Sequence, residues 1–144
     1  MESKMQTYQI IDEPKPRAYE NLVTDPLAIF FVCMFVPFLW MPPLLGKYWI
    51  PPLWLLLNSF FMGSPTFKKE VLIVALGTIG LFALFVGFGV LADRTDQELF
   101  TEQFAPYLRV LAQAGFFFTL YLIVTKQAGP YEIHKYLKEQ AANQ

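Results

Sequence analysis

This chain of 144 residues contains a single cysteine and a single histidine, too few of either for a disulfide or a metal site built from these residues. Cys33 lies inside a hydrophobic run, where a thiol is expected to serve packing rather than redox chemistry. His134 lies in a polar tail with no second histidine or cysteine near it in sequence. We therefore expect no metal, no cofactor and no thiol chemistry.

Charged residues are also scarce in the parts of the chain where catalysis or proton transport would need them. Lys47 is the only charged residue between Pro26 and Phe67, and none lies between Val71 and Ala92. Enzymes hold ionisable or nucleophilic groups together, and proton-coupled transporters usually carry a carboxylate inside a span. This pattern predicts a non-enzymatic protein without proton-coupled transport. The net charge of −1 provides no basic field for nucleic acid.

Apolar residues are abundant instead, at 55% of the chain, with 17% aromatic residues. That is more apolar surface than a soluble domain of this length can bury, and it is concentrated in four runs, 26–45, 48–62, 71–92 and 107–125. The sequence therefore predicts an all-α membrane protein with four transmembrane helices. The predicted organisation is a polar tail (1–24), a four-helix membrane domain (25–127) and a C-terminal tail (128–144) that either forms a short interfacial helix or frays.

The eleven Lys and Arg residues are distributed unevenly around these runs. Eight precede the first run, separate the second from the third, or follow the fourth, whereas Lys47, Arg94 and Arg109 lie on the other side. Because cytoplasmic loops retain basic residues, both termini are expected in the cytoplasm. The N-terminal segment lacks the pattern of a cleavable signal peptide, so we expect the first span to remain in the mature protein.

The second run has two interpretations because it is short. Its fifteen residues would form about 22 Å of helix against a hydrocarbon core of about 30 Å. It forms either a thin full span or a re-entrant hairpin with the first run. We favour the full span, because a re-entrant tip would place Lys47 deep in the membrane.

Local signals predict where several helices begin and end. Asp25 followed by Pro26 is typical of a helix start, and Gly63 followed by Ser64 and Pro65 is typical of a tight turn. Gly129 and Pro130 are expected to end the fourth helix.

Small residues in the third run predict a helix-packing face. Gly77, Gly80, Ala83 and Gly87 share about one third of the helix circumference. Ala112 and Gly115 in the fourth run are candidate mates for this face. We expect Gly80→Leu or Gly87→Leu to lower the folded yield.

Two polar residues within the runs are expected to connect helices. Asn58 and Gln113 are candidates for hydrogen bonds between helices.

The segment 93–103 is expected to be the only sizeable extracytoplasmic loop, with Arg109 expected to pair with its carboxylates. That segment is a candidate interaction loop, with the acidic residues Asp93, Asp96, Glu98 and Glu102.

The segment Leu57 to Pro65, followed by Lys68 and Lys69, resembles a pattern in small bacterial membrane proteins, which implies a bacterial inner membrane. Four spans with cytoplasmic termini and no catalytic groups resemble the architecture of immunity proteins against pore-forming bacteriocins. The leading hypothesis is a non-enzymatic protein that acts by protein–protein interaction, as an accessory or assembly subunit of a membrane complex or as an immunity-type protein. The alternative is a small oligomeric transporter or channel. The expected partners are membrane lipid, another membrane protein and, in an oligomer, further copies of the chain.

Overall fold

The computed structural model describes residues 22–35, 48–95 and 97–142. These residues form helices and short connections, and no strand occurs among them. The helices are α1 (Pro26–Phe35), α2 (Ile50–Met62), α3 (Phe67–Arg94) and α4 (Gln97–Ala142). The prediction of an all-helical chain is confirmed for these residues. Most of the polar N-terminal tail, Lys47 and Asp96 lie outside them.

Two of the four helices are long and apolar enough to cross a membrane, namely α3 and the part of α4 from Glu98 to Gln140. α3 has 28 residues, of which only Glu70 and Ala92 are buried. An apolar helix that leaves most of its side chains uncovered is typical of a surface that faces lipid. The number of four spans and the orientation of the termini stay predictions.

The starts and ends of the short helices follow their local sequence. The Asp25 carboxylate accepts a hydrogen bond from the Leu27 N–H group at 2.8 Å, which caps the start of α1. α2 ends at Gly63, whose φ of 68° is the left-handed conformation that glycine adopts without a steric penalty. The predicted helix start and tight turn are therefore both present.

α1 and α2 are antiparallel to each other and short. They contain 10 and 13 residues, which corresponds to about 15 and 20 Å of helix. The Thr24 N–H group donates a hydrogen bond to Asn58 Oδ1 at 2.7 Å, so the start of α1 lies beside the end of α2. Near the start of α2, the ring of Tyr48 meets the ring of Phe116, in the middle of α4, with centroids 5.7 Å apart.

The hydrophobic core lies where this short pair packs against α3 and α4. Its buried members are Ile29, Cys33, Leu55, Phe116, Leu120, Ile123 and Val124, and partly buried side chains that include Ile73, Val74 and Leu81 pack against them. On α3 the core residues end at Leu81, and on α4 they begin at Phe116. Beyond these positions α3 and α4 pack against each other, as the 5.2 Å centroid separation of Phe88 and Phe100 shows. Among the described residues, α1 and α2 thus cover the half of the α3–α4 pair that lies before Leu81 on α3 and after Phe116 on α4.

α4 departs from the sequence-based prediction at both ends. Gly129 and Pro130 do not end it, since α4 continues through both to Ala142. An interior proline removes one backbone hydrogen bond, and here the helical segments on both sides remain continuous despite that loss. At the other end, α3 extends to Arg94 and α4 begins at Gln97, so the predicted loop 93–103 is a two-residue connection. Glu98 lies in the first turn of α4, where the helix dipole favours an acidic residue.

Candidate functional site

Polar side chains from α2, α3, α4 and the turn between α2 and α3 meet where α2 turns into α3, and all of them are buried except Thr66, which is half-buried. We call them the polar cluster, and its members are Asn58, Ser64, Thr66, Glu70 and Gln127. Glu70 and Gln127 are fully buried, with 0% exposure each. Burying polar groups is unfavourable unless they are hydrogen-bonded, so the geometry of this cluster matters for stability.

Gln127 of α4 forms the centre of the polar cluster. Its side-chain Nε2 donates hydrogen bonds to the Leu55 carbonyl oxygen of α2 and to Glu70 Oε2 of α3, both at 2.8 Å. Its Oε1 accepts a longer hydrogen bond, at 3.5 Å, from Asn58 Nδ2. One amide therefore connects α4 to both α2 and α3, and it uses both of its N–H donors to do so.

Glu70 lies in the first turn of α3 and is the only carboxylate in the polar cluster. Its Oε1 accepts a hydrogen bond from the Thr66 hydroxyl at 2.6 Å, and its Oε2 accepts the one from Gln127. No lysine or arginine forms an ion pair with Glu70 among the described residues, and Lys68 and Lys69 are exposed. The carboxylate is held by two side-chain donors and by the N-terminal end of a helix dipole.

A further buried hydroxyl lies next to this cluster in sequence. Ser59 is 0% exposed, and its Oγ is the one buried side-chain polar atom without a hydrogen-bond partner in the described part of the chain. Its carbonyl oxygen accepts a hydrogen bond from the Ser64 N–H group at 3.1 Å, which helps to close the turn after α2.

Sequence reasoning missed Glu70 and Gln127. Glu70 falls in the gap between the two uncharged stretches, directly after Lys68 and Lys69. Gln127 follows the fourth run by two residues. The available signal was that Asn58, Glu70 and Gln127 all lie at the same end of their runs in a helical hairpin topology. Of the two predicted interhelical residues, Asn58 bonds between helices, whereas Gln113 lines a cleft described below.

The predicted small-residue face of α3 is in close contact with α4 at one of its residues, Gly77. A Cβ atom at Gly77 would come within 2.5 Å of the Thr119 side chain, so α3 and α4 approach each other closely there. A Cβ at Gly115 would lie 3.5 Å from Leu81, an ordinary contact. A Cβ at Gly80 or Gly87 would meet no atom within 4 Å among the described residues.

Ala83 and Ala112, the remaining members of the two faces, differ in exposure. Ala83 is exposed and Ala112 is partly buried. The packing roles assigned to Gly80, Ala83, Gly87 and Ala112 stay predictions, whereas the close approach at Gly77 is a feature of the structure.

The acidic residues assigned to a loop lie mostly on helices. Asp93 is in the last turn of α3, while Glu98 and Glu102 are in the first turns of α4, and all three are exposed. The expected pairing of Arg109 with them is not present, since no ion pair involves Arg109 among the described residues. The acidic groups therefore form an exposed patch at the connection between α3 and α4.

The described residues contain no group of three His, Cys, Asp or Glu side chains that could hold a metal ion. Both oxygens of Glu70 are engaged with Thr66 and Gln127, and these partners are hydrogen-bonding groups rather than nucleophiles with a base. The polar cluster therefore has the chemistry of a connection between helices.

The chain matches no family model, and no curated protein or solved structure is significantly similar to it. The function is consequently inferred from the chemistry and the geometry of the described residues. A proposed function has to account for two features of the structure, namely the continuation of α4 past the polar cluster and the exposed apolar surface of α3 and α4.

Proposed function

We propose that this chain is a non-enzymatic membrane protein that acts by binding another membrane protein. It serves either as an accessory or assembly subunit of a complex or as an immunity-type protein against a membrane-targeting toxin, in a bacterial inner membrane. The observation that carries this proposal is an uncovered apolar face on the part of α4 that follows the polar cluster. We call residues 128–142 the C-terminal extension.

The C-terminal extension is amphipathic. Ile133, Tyr136 and Leu137 are 59–63% exposed, and their spacing of three and four residues places them on one face of the helix. Lys135 and Glu139 lie on another face and form an exposed ion pair at 4.0 Å. A helix with apolar residues at these spacings is typical of a segment that packs into a groove or against another helix.

The continuity of α4 favours a protein partner over the membrane surface. The sequence alone predicted either an interfacial helix or a frayed tail after a break at Gly129 and Pro130. Because α4 is continuous through both residues, we infer that the extension projects about 22 Å past Gln127 into the cytoplasm. Apolar side chains held in water on such a projection favour association with a partner.

We further propose that α3 and α4 cross the membrane and that α1 and α2 form a re-entrant hairpin on the cytoplasmic side. This proposal replaces the full span that the position of Lys47 favoured, because α1 and α2, with 10 and 13 residues, are about 15 and 20 Å long and too short for a hydrocarbon core of about 30 Å. Three features support this topology. The short helices cover one half of α3 and α4, Thr24 and Asn58 bring the open end of the hairpin to the polar cluster, and Lys68 and Lys69 lie beside this cluster in the first turn of α3.

Fusion reporters and thiol labelling test this topology. Reporters after Lys69 and Lys126 should give cytoplasmic signals, and one near Glu98 should give a periplasmic signal. In a background without Cys33, a cysteine at position 47 should resist a membrane-impermeant maleimide added from the periplasm, whereas Glu98→Cys should be labelled. Equal labelling of both positions would instead support two full spans for the first two runs.

Site-specific crosslinking tests the interaction. A photoreactive residue at Leu137 should give a discrete adduct with one membrane protein in cells, and Ile133→Asp should reduce that adduct several-fold by placing a charge on the apolar face. The same photoreactive residue at Glu139 and the variant Lys138→Ala serve as matched controls on the charged side. Equal adducts from both faces, or none from either, would contradict the proposal.

A small oligomeric transporter or channel is the second candidate, and Glu70 is the observation that favours it. The sequence argument against proton coupling did not count this carboxylate, which is fully buried between helices. Its hydrogen bonds to Thr66 and Gln127 occupy both oxygens, so we place this candidate second. Uptake driven by a pH gradient in vesicles that contain the purified chain alone would promote it to first.

A further inference from the structure

A cleft of about 550 Å³ lies between α3 and α4, and it extends from Tyr48 and Phe116, at the edge of the half that the short helices cover, toward Arg109. Its walls are mainly apolar and include Leu81, Phe82, Phe85 and Ala112, whereas its polar residues include Arg109 and Gln113. Phe82 is 70% exposed and Phe85 is 52% exposed, so this wall of the cleft is open to the surroundings of the protein. An apolar cleft of this size with a few polar groups has the character of a small-ligand site.

The position of the cleft relative to the membrane follows from the contact between α3 and α4. This step rests on the proposal that both helices cross the bilayer. Leu81 is at the middle of the uncharged run 71–92, and it lies opposite Gly115. Arg109 is six residues from Gly115 on α4, which places it about 9 Å beyond the middle, in the leaflet remote from Lys68 and Lys69. From there its long side chain reaches the headgroup region.

Arg109 has a charge that the described residues do not neutralise. No carboxylate among them forms an ion pair with Arg109. A guanidinium within a membrane is unfavourable without an anionic partner. Among the described residues, the exposed carboxylates at the connection between α3 and α4 do not pair with Arg109, and the other anions at the level that its side chain reaches are lipid headgroups. Guanidinium groups bind phosphate oxygens with two parallel hydrogen bonds.

We propose that this cleft binds one anionic phospholipid of that leaflet. One acyl chain lies along Phe82, Phe85 and Ala112, while the phosphate meets the Arg109 guanidinium. A transmembrane helix of a partner is the less suitable occupant, because a helix with its side chains is about 10 Å or more in diameter and the cleft is the size of a small-molecule pocket.

Native mass spectrometry of the full chain tests this site. The protein is released from nanodiscs that contain equal amounts of phosphatidylglycerol and phosphatidylcholine, and the retained lipid is identified. The wild-type chain should retain one phosphatidylglycerol in preference to phosphatidylcholine. Arg109→Gln should reduce that retention at least fivefold, whereas Arg94→Gln, which removes an exposed positive charge outside the cleft, should leave it unchanged.

A second variant addresses the acyl chain. Ala112→Phe should fill the cleft and reduce retention of both lipids while Arg109 is kept, and circular dichroism checks that this variant is folded. Three results would overturn the proposal, namely equal retention by Arg109→Gln and the wild type, an equal loss in Arg94→Gln, or no preference of the wild type for the anionic lipid. Should Ala112→Phe fail to fold, the comparison of Arg109→Gln with Arg94→Gln decides the proposal alone.

Discussion

Replacing Gln127 with leucine should lower the free energy of unfolding by about 3 kcal/mol, because it leaves several buried polar groups without partners. Glu70 Oε2 and the Leu55 carbonyl oxygen would each lose a hydrogen bond of 2.8 Å. The Asn58 amide would lose its bond to the same side chain. Leucine has a similar volume, so the effect reports lost hydrogen bonds rather than a cavity. Equilibrium unfolding of the purified protein in a fixed detergent provides the measurement.

Gln113→Leu is the matched control for this substitution. It makes the same change in the same helix at a residue that lines the cleft between α3 and α4, and we expect a change of less than about 0.5 kcal/mol. The double variant Gln127→Leu with Glu70→Leu should regain part of the loss, since removing both partners removes the unpaired carboxylate. Equal destabilisation by Gln127→Leu and Gln113→Leu would show that the polar cluster does not hold the helices together.

Gly77→Ala should lower the free energy of unfolding by about 2–3 kcal/mol, because α3 and α4 would have to move apart. The added Cβ would lie 2.5 Å from both Cγ2 and Oγ1 of Thr119, closer than any ordinary contact. Gly80→Ala, one turn further along α3, has open space and should be neutral or slightly stabilising, since alanine favours a helix more than glycine does. Thermal or chemical unfolding of the two variants in the same detergent makes the comparison.

The variant Gly77→Ala with Thr119→Ala tests the cause of that effect. Removing the Thr119 hydroxyl and methyl groups leaves its Cβ, at 3.1 Å, as the nearest atom. We therefore expect the second substitution to restore most of the stability. If Gly77→Ala instead destabilised α3 itself, a change at Thr119 on α4 would not restore it. If Gly77→Ala and Gly80→Ala behave alike, the contact between Gly77 and Thr119 does not limit the approach of the two helices.

The helix boundaries show which parts of the fold local sequence can predict. The start of α1 at Asp25 and Pro26 and the end of α2 at Gly63 depend on residues next to each other, and both were predicted. The end of α4 was not predicted, because a Gly129–Pro130 pair is unfavourable in a helix but does not by itself forbid one. Whether the helix continues depends on the hydrogen bonding and packing of whole segments on both sides.

The residues of the candidate sites show a second limit on what the sequence can predict, which is the contacts between helices. The stripe of small residues on α3 follows from the helical period, but which of these residues α4 approaches is set by the relative position of the two helices. That position brings Thr119 to Gly77 and leaves Gly80 uncovered. Likewise, Glu70 and Gln127 are 57 residues apart in the chain, and no local pattern connects them.

The sequence by itself determined that the described residues are helical and that apolar residues are concentrated in long runs, two of which form helices long and apolar enough to cross a membrane. It also determined where the basic residues lie along the chain, because hydrophobic runs, helix caps and charge are properties of neighbouring residues. Only the tertiary structure decided that α1 and α2 cover one half of α3 and α4, that a carboxylate is buried in the polar cluster, and that Arg109 lines an apolar cleft. The physical reason is that these features depend on contacts between distant segments, and such contacts exist only once the helices have packed.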